Sequence, residues 1–294
     1  MGKDLADKFP VAQQVFEEAD EALSFSISRL CFEGPEEALQ LTENTQPAIV
    51  TVSIAAFRAM QSEGLAVPTA VAGHSLGEYS ALVAAGAITL ADAVRTVRAR
   101  GRYMQEAVPV GTGAMAAVIG GERTAIENAC KEASGTQVCS VANINSPKQV
   151  VIAGDVAAVD RAMDLLKDVA KRVIKLNVSA PFHCALMKPA QERLSFELEQ
   201  LAFSQAGVPV VTNVDASATT EPAELRDALF RQVSAPVRWL ESIELFLEQG
   251  VKTFVEVGPG KVLSGLMRQI NREANCLNVE DSASLEAARA KLNA

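Results

Sequence analysis

The order of apolar and polar positions divides the chain into three parts. In the first, Pro10 to Ala22 is patterned as a helix, Pro47 to Ser62 is apolar and of helix length, and Ala70 to Gly73 is a short apolar run of the kind buried strands have. Good helix formers follow from Leu76 to Ala85, and Gly86 stands where a helix C-terminus takes a left-handed residue. Ser75 therefore falls on a strand-to-helix turn. Thr89 and Asp92 have capping-box spacing, with Asp in the place of Glu, and predict a helix from Leu90 to about Glu106.

From Gly111 the pattern changes to short strands alternating with helices. The order is a strand over Ala114–Ile119, a helix over Arg123–Ala133, strands over Gln137–Asn143 and Gln149–Ala153, a helix over Val156–Val169 and a strand over Arg172–Val178. That is the split βαβ or ferredoxin-like arrangement, expected here as a small lid domain over residues 111–179 with hinges at Pro109–Gly113 and Ala180–Pro181. The third part returns to alternation, with strands at Val208–Val214 and Thr253–Val257. Helices are expected around Glu224–Gln232, Trp239–Glu248, Lys261–Ile270 and Ser284–Leu292. Strands separated by helices predict a parallel, helix-covered sheet, so residues 1–110 and 180–294 are expected to form one α/β domain.

Composition narrows the class. A chain of 294 residues with 49% hydrophobic and 21% charged positions buries about three quarters of its unfolded surface and folds as an ordinary globular protein. The net charge of −9 gives no general attraction to phosphate backbones or anionic lipid, which argues against nucleic acid and membrane partners. Cys31, Cys130, Cys139, Cys184 and Cys276 are odd in number and form no C-x-x-C pair, which reads as reduced cytosolic thiols and no zinc site. The apolar runs Ala48–Phe57 and Ala81–Ile88 fall short of the roughly 18 residues that cross a bilayer. The polar start MGKDLADKFP lacks the apolar segment of a secretory signal. The expectation is a cytoplasmic protein.

The chemistry concentrates at Gly73-His74-Ser75-Leu76-Gly77, a G-x-S-x-G between a predicted strand and a predicted helix. On so sharp a turn small neighbours permit close backbone approach, the serine hydroxyl is presented at the helix N-terminus, and the Leu76 N–H is placed to stabilise an oxyanion. A tight turn with a capping serine is the plainer alternative. A serine needs a base, and the chain has two histidines. His74 points away from its neighbour in the turn, so His183, in Ala180-Pro181-Phe182-His183-Cys184, is the candidate.

On the Leu90–Glu106 helix, Leu90, Ala93, Val94, Val97, Gly101 and Met104 form one buried stripe, and Arg95, Arg98 and Arg102 fall on the solvated side. Arg100 stands alone on the other shoulder, as a guanidinium that binds a carboxylate bidentately would, or as a surface arginine in an i,i+4 pair. Val257-Gly258-Pro259-Gly260-Lys261 lacks phosphate-loop spacing and reads as a structural turn. Asn143–Gly154 is a polar turn leading into a strand, consistent with a loop facing a cleft.

Five segments, AGHSLGEYSALVAAG (72–86), VRARGRYMQEAVPVGTGAMAAVIG (97–120), NINSPKQVVIAG (143–154), SAPFHCALMKPA (179–190) and FVEVGPGKVLSGL (254–266), together resemble the malonyl-CoA:acyl-carrier-protein transacylase family of bacterial fatty-acid synthesis. The resemblance covers almost the whole chain. It implies an α/β-hydrolase-like parallel-sheet core with a ferredoxin-like insert, and ping-pong transfer of malonyl from malonyl-CoA to the phosphopantetheine thiol of acyl carrier protein. Ser75 matches the family's nucleophile, His183 its base, and Arg100 the arginine that pairs with the malonyl carboxylate. Gln232, in RQVSAPVRW, matches the residue whose backbone carbonyl orients the histidine. Leu76 and Phe182 fit the malonyl-selective pattern, and Asn145 and Gln149 match polar residues lining the thioester cleft. The reactive thiols belong to the substrates, so no cofactor or metal is implied, and the family suggests a monomer.

The family pattern opens with F-P-G-Q-G-S-Q, a strand and a glutamine-bearing loop, ahead of the residues matching Met1-Gly2. That segment does not precede Met1 here: either this start is too late, or the chain is truncated and a weak enzyme, with one sheet strand fewer and an oxyanion donor lost, a loss of about 2.7–4 kcal/mol. A serine hydrolase or thioesterase using the same elbow, and a catalytically weak carrier-protein binder, stay open as alternatives. Lys167, Lys171, Arg172 and Lys175 gather at the end of the insert, as a dock for an acidic carrier protein or as an ordinary solvated face.

Overall fold

The structure, a computed structural model, describes residues 1–65, 67–178 and 180–292. The first third is helical: α1 (Lys3–Lys8), α2 (Pro10–Leu23), α3 (Ile27–Glu33), α4 (Glu36–Gln40) and α5 (Thr42–Ser62). α5 starts ahead of Pro47, where the sequence pattern placed its beginning. A proline near a helix start forfeits little, because early N–H groups lack intrahelical partners and only the bond to the Glu43 carbonyl is given up. The added turn carries Gln46, which is buried.

The chain then enters the short strand β1 (Val71–Ala72), the elbow, and helices α6 (Gly77–Ala84) and α7 (Leu90–Glu106). Thr89 caps α7 by accepting the Asp92 N–H at 3.1 Å. The predicted α7 stripe is buried, Arg95 and Arg102 are exposed, and Arg98 lies over the Phe25 ring. α7 also packs on the start of α5 through Gly101, where a β-carbon would stand 2.5 Å from the Thr42 carbonyl oxygen. That close approach brings Gln46 to Arg100.

The middle of the chain forms β2 (Gly113–Ile119), α8 (Arg123–Ser134), β3 (Cys139–Ser146), β4 (Gln149–Asp155), α9 (Val156–Leu165) and β5 (Arg172–Lys175). Its sheet order is β3-β4-β2-β5 with every pairing antiparallel, the ferredoxin-like order. One face of this sheet, with Ala116, Val118 and Ile152, is covered by α8 and α9. The other, with Met115, Ala117, Ala142 and Val151, packs on Cys184, Phe182 and Leu186 of the returning loop. Coverage of both faces explains why these strands read as continuous apolar runs. Ser179, the last residue of the expected insert, lies outside the described residues, as do 293–294 at the end of the expected larger domain.

The remainder comprises α10 (Lys188–Gln200), β6 (Val210–Val211), β7 (Ala218–Thr219), α11 (Pro222–Gln232), α12 (Trp239–Glu248), β8 (Thr253–Val257), α13 (Val262–Ile270), β9 (Asn275–Val279) and α14 (Ser282–Leu292). Among the described residues the parallel strand pairings are β1 with β6 and β8 with β9, two short ladders in place of one continuous sheet, with a single parallel bridge between Asn143 and Val237 besides. β6 is shorter than the expected Val208–Val214 run because its continuation turns to another task. The Asn213 N–H leaves the ladder and donates to the Glu78 carboxylate at 2.9 Å. All five cysteines carry free thiols. No described helix is long and apolar enough to cross a membrane.

Candidate active site

Ser75 sits on the turn between β1 and α6 with φ of 50°, a left-handed value that a non-glycine residue adopts only where its surroundings enforce it. The enforcement is visible. Asn213, just beyond β6, accepts the Ser75 N–H on Oδ1 at 2.6 Å and donates from Nδ2 to the Gly73 carbonyl at 2.7 Å. Gly73 packs so tightly on the Gly77 backbone that any β-carbon would collide with the Gly77 carbonyl. Gly77, the second glycine of the motif, faces open space, contrary to the expectation that both neighbours must be small. The N–H groups of Gly77, Glu78 and Tyr79 close back onto His74, Ser75 and Leu76, whereas the Leu76 N–H takes no part in these turn bonds.

His183 comes from the loop after the insert, also with a left-handed φ, of 60°. The loop is fixed by Pro181 packing against Gly113 of β2, a position with no room for a side chain. His183 Nε2 lies 2.7 Å from Ser75 Oγ, and Nδ1 lies 2.9 Å from the Gln232 carbonyl oxygen. A carbonyl only accepts, so Nδ1 carries the ring proton and Nε2 is the bare acceptor facing the hydroxyl. Burial, and after it the Arg100 charge, push the His183 pKa down to about 3, which keeps the ring neutral. A hydroxyl bonded to an unprotonated imidazole is an activated nucleophile. Among the described residues no carboxylate completes a triad; the Gln232 backbone carbonyl does the orienting.

Arg100 is 2% exposed. Its guanidinium donates to Ser75 Oγ at 3.0 Å, to Gln232 Oε1 at 3.0 Å and to Gln46 Oε1 at 2.8 Å. Each of these acceptors is neutral, and Nε is buried without a partner. Among the described residues no carboxylate hydrogen-bonds this charge. The Glu78 charge acts on the guanidinium only across the Gln232 amide, so the hydrogen-bonding face beside the nucleophile is left for a substrate anion to fill.

The structure thus brings Ser75, His183, Arg100 and Gln232 together. Asn145 joins from β3, nearly buried, with Oδ1 2.8 Å from His74 Nε2. The His74 ring is directed to Asn145 and Trp239, away from Ser75. Gln149 opens β4, paired with Ser146 and Ile119 at the hairpin end, and has no hydrogen bond to Ser75, His183 or Arg100 among the described residues.

Three contributors were not singled out from sequence: Gln46, Glu78 and Asn213. Glu78 carried a signal, a carboxylate three positions after the serine on a helix otherwise rich in apolar residues. Gln46 was hidden by Pro47, and Asn213 by a run that reads as plain strand.

The glycine-rich turn after β8 is structural, as expected. The Gly260 N–H donates to Glu280 at 3.0 Å, and Glu256 accepts the Leu263 and Ser264 N–H groups, so the chain's own carboxylates fill the α13 N-terminus. In the basic cluster, Lys167 pairs with Asp164 and Lys175 with Asp160. Among the described residues no group of His, Cys, Asp or Glu is placed to hold a metal ion.

The sequence model of a family described as the acyl transferase domain matches residues 1–289. The chain belongs to the acyl transferase family. A malonyl CoA-acyl carrier protein transacylase of Escherichia coli K12 is 49% identical over 286 residues, 97% of this chain and 93% of that relative. Among solved structures, an acyl carrier protein S-malonyltransferase of Vibrio cholerae superposes with a TM-score of 0.96 at 49% identity, covering 98% of this chain and 94% of that one. A malonyl-transacylase in complex with its type II PKS acyl-carrier protein superposes with a TM-score of 0.96 at 48% identity, covering 99% and 94%. As in this family of acyl transferases, the core is α/β-hydrolase-like and carries a ferredoxin-like subdomain.

Proposed function

We infer that the chain is an acyl-carrier-protein S-malonyltransferase, moving malonyl from malonyl-CoA to the phosphopantetheine thiol of acyl carrier protein through a malonyl-serine. The observation that carries this reading is Arg100, a buried guanidinium 3.0 Å from the Ser75 hydroxyl that no carboxylate hydrogen-bonds among the described residues. An acyl group ending in a carboxylate satisfies that charge while its thioester carbonyl lies over Ser75. An acetyl group leaves it bare.

In the first half-reaction Ser75 Oγ attacks the thioester carbonyl and its proton passes to His183 Nε2. The negative oxygen that develops is stabilised by the Leu76 N–H. Collapse breaks the carbon–sulfur bond, the coenzyme A sulfur takes the proton from Nε2, and malonyl-Ser75 remains. In the second half-reaction the carrier thiol gives its proton to Nε2 and its sulfur attacks the same carbonyl; collapse breaks the ester carbon–oxygen bond, Ser75 Oγ takes the proton back from Nε2, and malonyl leaves on the carrier. Through both steps the Gln232 carbonyl holds the His183 tautomer, and Asn145 and Gln149 line the approach of the thioester arm. The same reading treats residues 111–179 as one inserted unit and places the protein in the cytoplasm as a monomer.

The test is intact-mass spectrometry after brief exposure to malonyl-CoA, followed by holo acyl carrier protein. One malonyl adduct, mapped to Ser75 and then transferred to the carrier, is the expected result. Rapid hydrolysis of malonyl-CoA without an acceptor indicates a hydrolase. Absence of any adduct overturns the reading.

A further inference from the structure

Beneath the elbow lies a buried carboxylate that the acyl-transfer steps above do not use. Glu78 is 1% exposed, on the first turn of α6. One of its oxygens, Oε2, accepts two hydrogen bonds from two different parts of the chain: the Asn213 N–H at 2.9 Å and the Gln232 Nε2 amide at 2.8 Å. Each donor leads straight to the reacting groups. The Asn213 side chain straddles the strained turn, holding the Ser75 N–H and the Gly73 carbonyl. The Gln232 amide donates also to the Ser75 carbonyl at 3.0 Å and accepts from Arg100 through Oε1, while its backbone carbonyl holds His183.

The chemistry of an amide makes this arrangement directional. With an acceptor on its Nε2 side, Gln232 must present NH2 to Glu78 and oxygen to Arg100; turned over, it would set an NH2 against a guanidinium. Burying a carboxylate this deeply is unfavourable, and the desolvation pushes the Glu78 pKa up to about 7. Such a group is retained in a core where an apolar residue would be less costly only if its acceptors are needed.

We propose that Glu78 is the positioning residue of the site: through Asn213 it holds the Ser75 turn in its left-handed form, and through Gln232 it fixes the orientation of the groups that aim His183 and Arg100. The proposal rests on the acyl-serine chemistry inferred above, though only on Ser75 being a nucleophile and not on the identity of the acyl group.

The experiment compares Glu78→Leu, Glu78→Gln and Asn213→Ala with the unaltered protein in two assays. One is the rate of covalent capture of Ser75 by a fluorophosphonate, which reads nucleophile geometry without any substrate. The other is steady-state malonyl transfer, resolved into kcat and KM. Glu78→Leu leaves the Asn213 N–H and one of the two Gln232 amide hydrogens unpaired and is expected to lower both capture and kcat about 100-fold, the scale of an ångström of misplacement. KM should change less than about threefold, because Gln46 still holds Arg100. Glu78→Gln retains an oxygen able to accept from both donors and is expected to recover at least about tenfold of that loss. Asn213→Ala keeps Glu78 but releases the turn; it should also slow capture about 100-fold, and it decides the matter if Glu78→Leu does not fold.

Unchanged capture in a folded Glu78→Leu, or in Asn213→Ala, overturns the proposal. So does equal impairment of Glu78→Gln and Glu78→Leu, which would assign the effect to charge. If the unaltered protein reacts with fluorophosphonate but takes no malonyl, the transferase reading fails and the positioning role is still decided by capture rates.

Discussion

Gly73 and Gly77 flank the nucleophile evenly in sequence and unevenly in space. A β-carbon on Gly73 runs into the Gly77 carbonyl, while one on Gly77 meets nothing. Gly73→Ala must therefore open the turn and separate Ser75 from His183. Gly77→Ala removes a weak helix former from the start of α6 and should leave stability unchanged or raise it by up to about 1 kcal/mol. Urea denaturation with fluorophosphonate capture separates the two; equal behaviour would refute the packing argument. Arg100 gives a second residue-scale prediction. It binds the anionic end of the substrate, yet its charge also helps hold down the basicity of His183. Arg100→Ala should lower kcat/KM for malonyl-CoA about 30-fold or more, the equivalent of some 2 kcal/mol for a lost buried charge contact. Acetyl transfer should hold or improve, because the His183 pKa rises once the charge is gone. Equal loss with both substrates would exclude the role.

Elements place these residues, and here the sequence was partly legible. The elbow, the α7 stripe, the capped α7 start and the ferredoxin-like order were readable because each rests on local spacing. The α10 helix and β9 were not singled out: β9 alternates half-buried and buried positions but contains two asparagines, which strands disfavour. The start of α5 was hidden by a proline that a helix tolerates there. Glu78, Asn213 and Gln46 were illegible for a shared reason, since their partners stand 154, 138 and 54 positions away and no local pattern reports such contacts. Gly113 shows how an element transmits to the site. It lies in β2 against Pro181, two residues before His183, and has no room for a side chain. Gly113→Ala should cost about 1–3 kcal/mol by overpacking and slow Ser75 capture through displacement of the histidine loop. A variant that is destabilised yet captures at the normal rate would show that the loop is held independently of β2.

At the scale of the whole molecule, the buried site holds His183 and Glu78, which titrate abnormally and in opposite senses, and burial lowers His74 in the same sense as His183. His183, with an ordinary pKa of 6.5, is held at about 3, so as pH falls the unfolded chain takes up a proton that the folded chain refuses. Stability from this group is full above about pH 6.5 and is lost as pH falls toward 3. Glu78, with an ordinary pKa of 4.5, is raised to about 7, so the folded chain keeps a proton that the unfolded chain gives up. Stability from Glu78 is full below about pH 4.5 and is lost as pH rises through 7. Between about pH 7 and about pH 4.5 the two offset each other; below that, of these two groups only His183 continues to act. Urea midpoints for the unaltered protein, His183→Gln and Glu78→Gln at about pH 7, 5.5 and 4 test this directly. His183→Gln should lose less stability than the unaltered protein on acidification, and Glu78→Gln should lose more over the upper part of the range. Parallel pH dependences in all three would mean that neither group titrates abnormally, and that burial does not govern the protonation of the site.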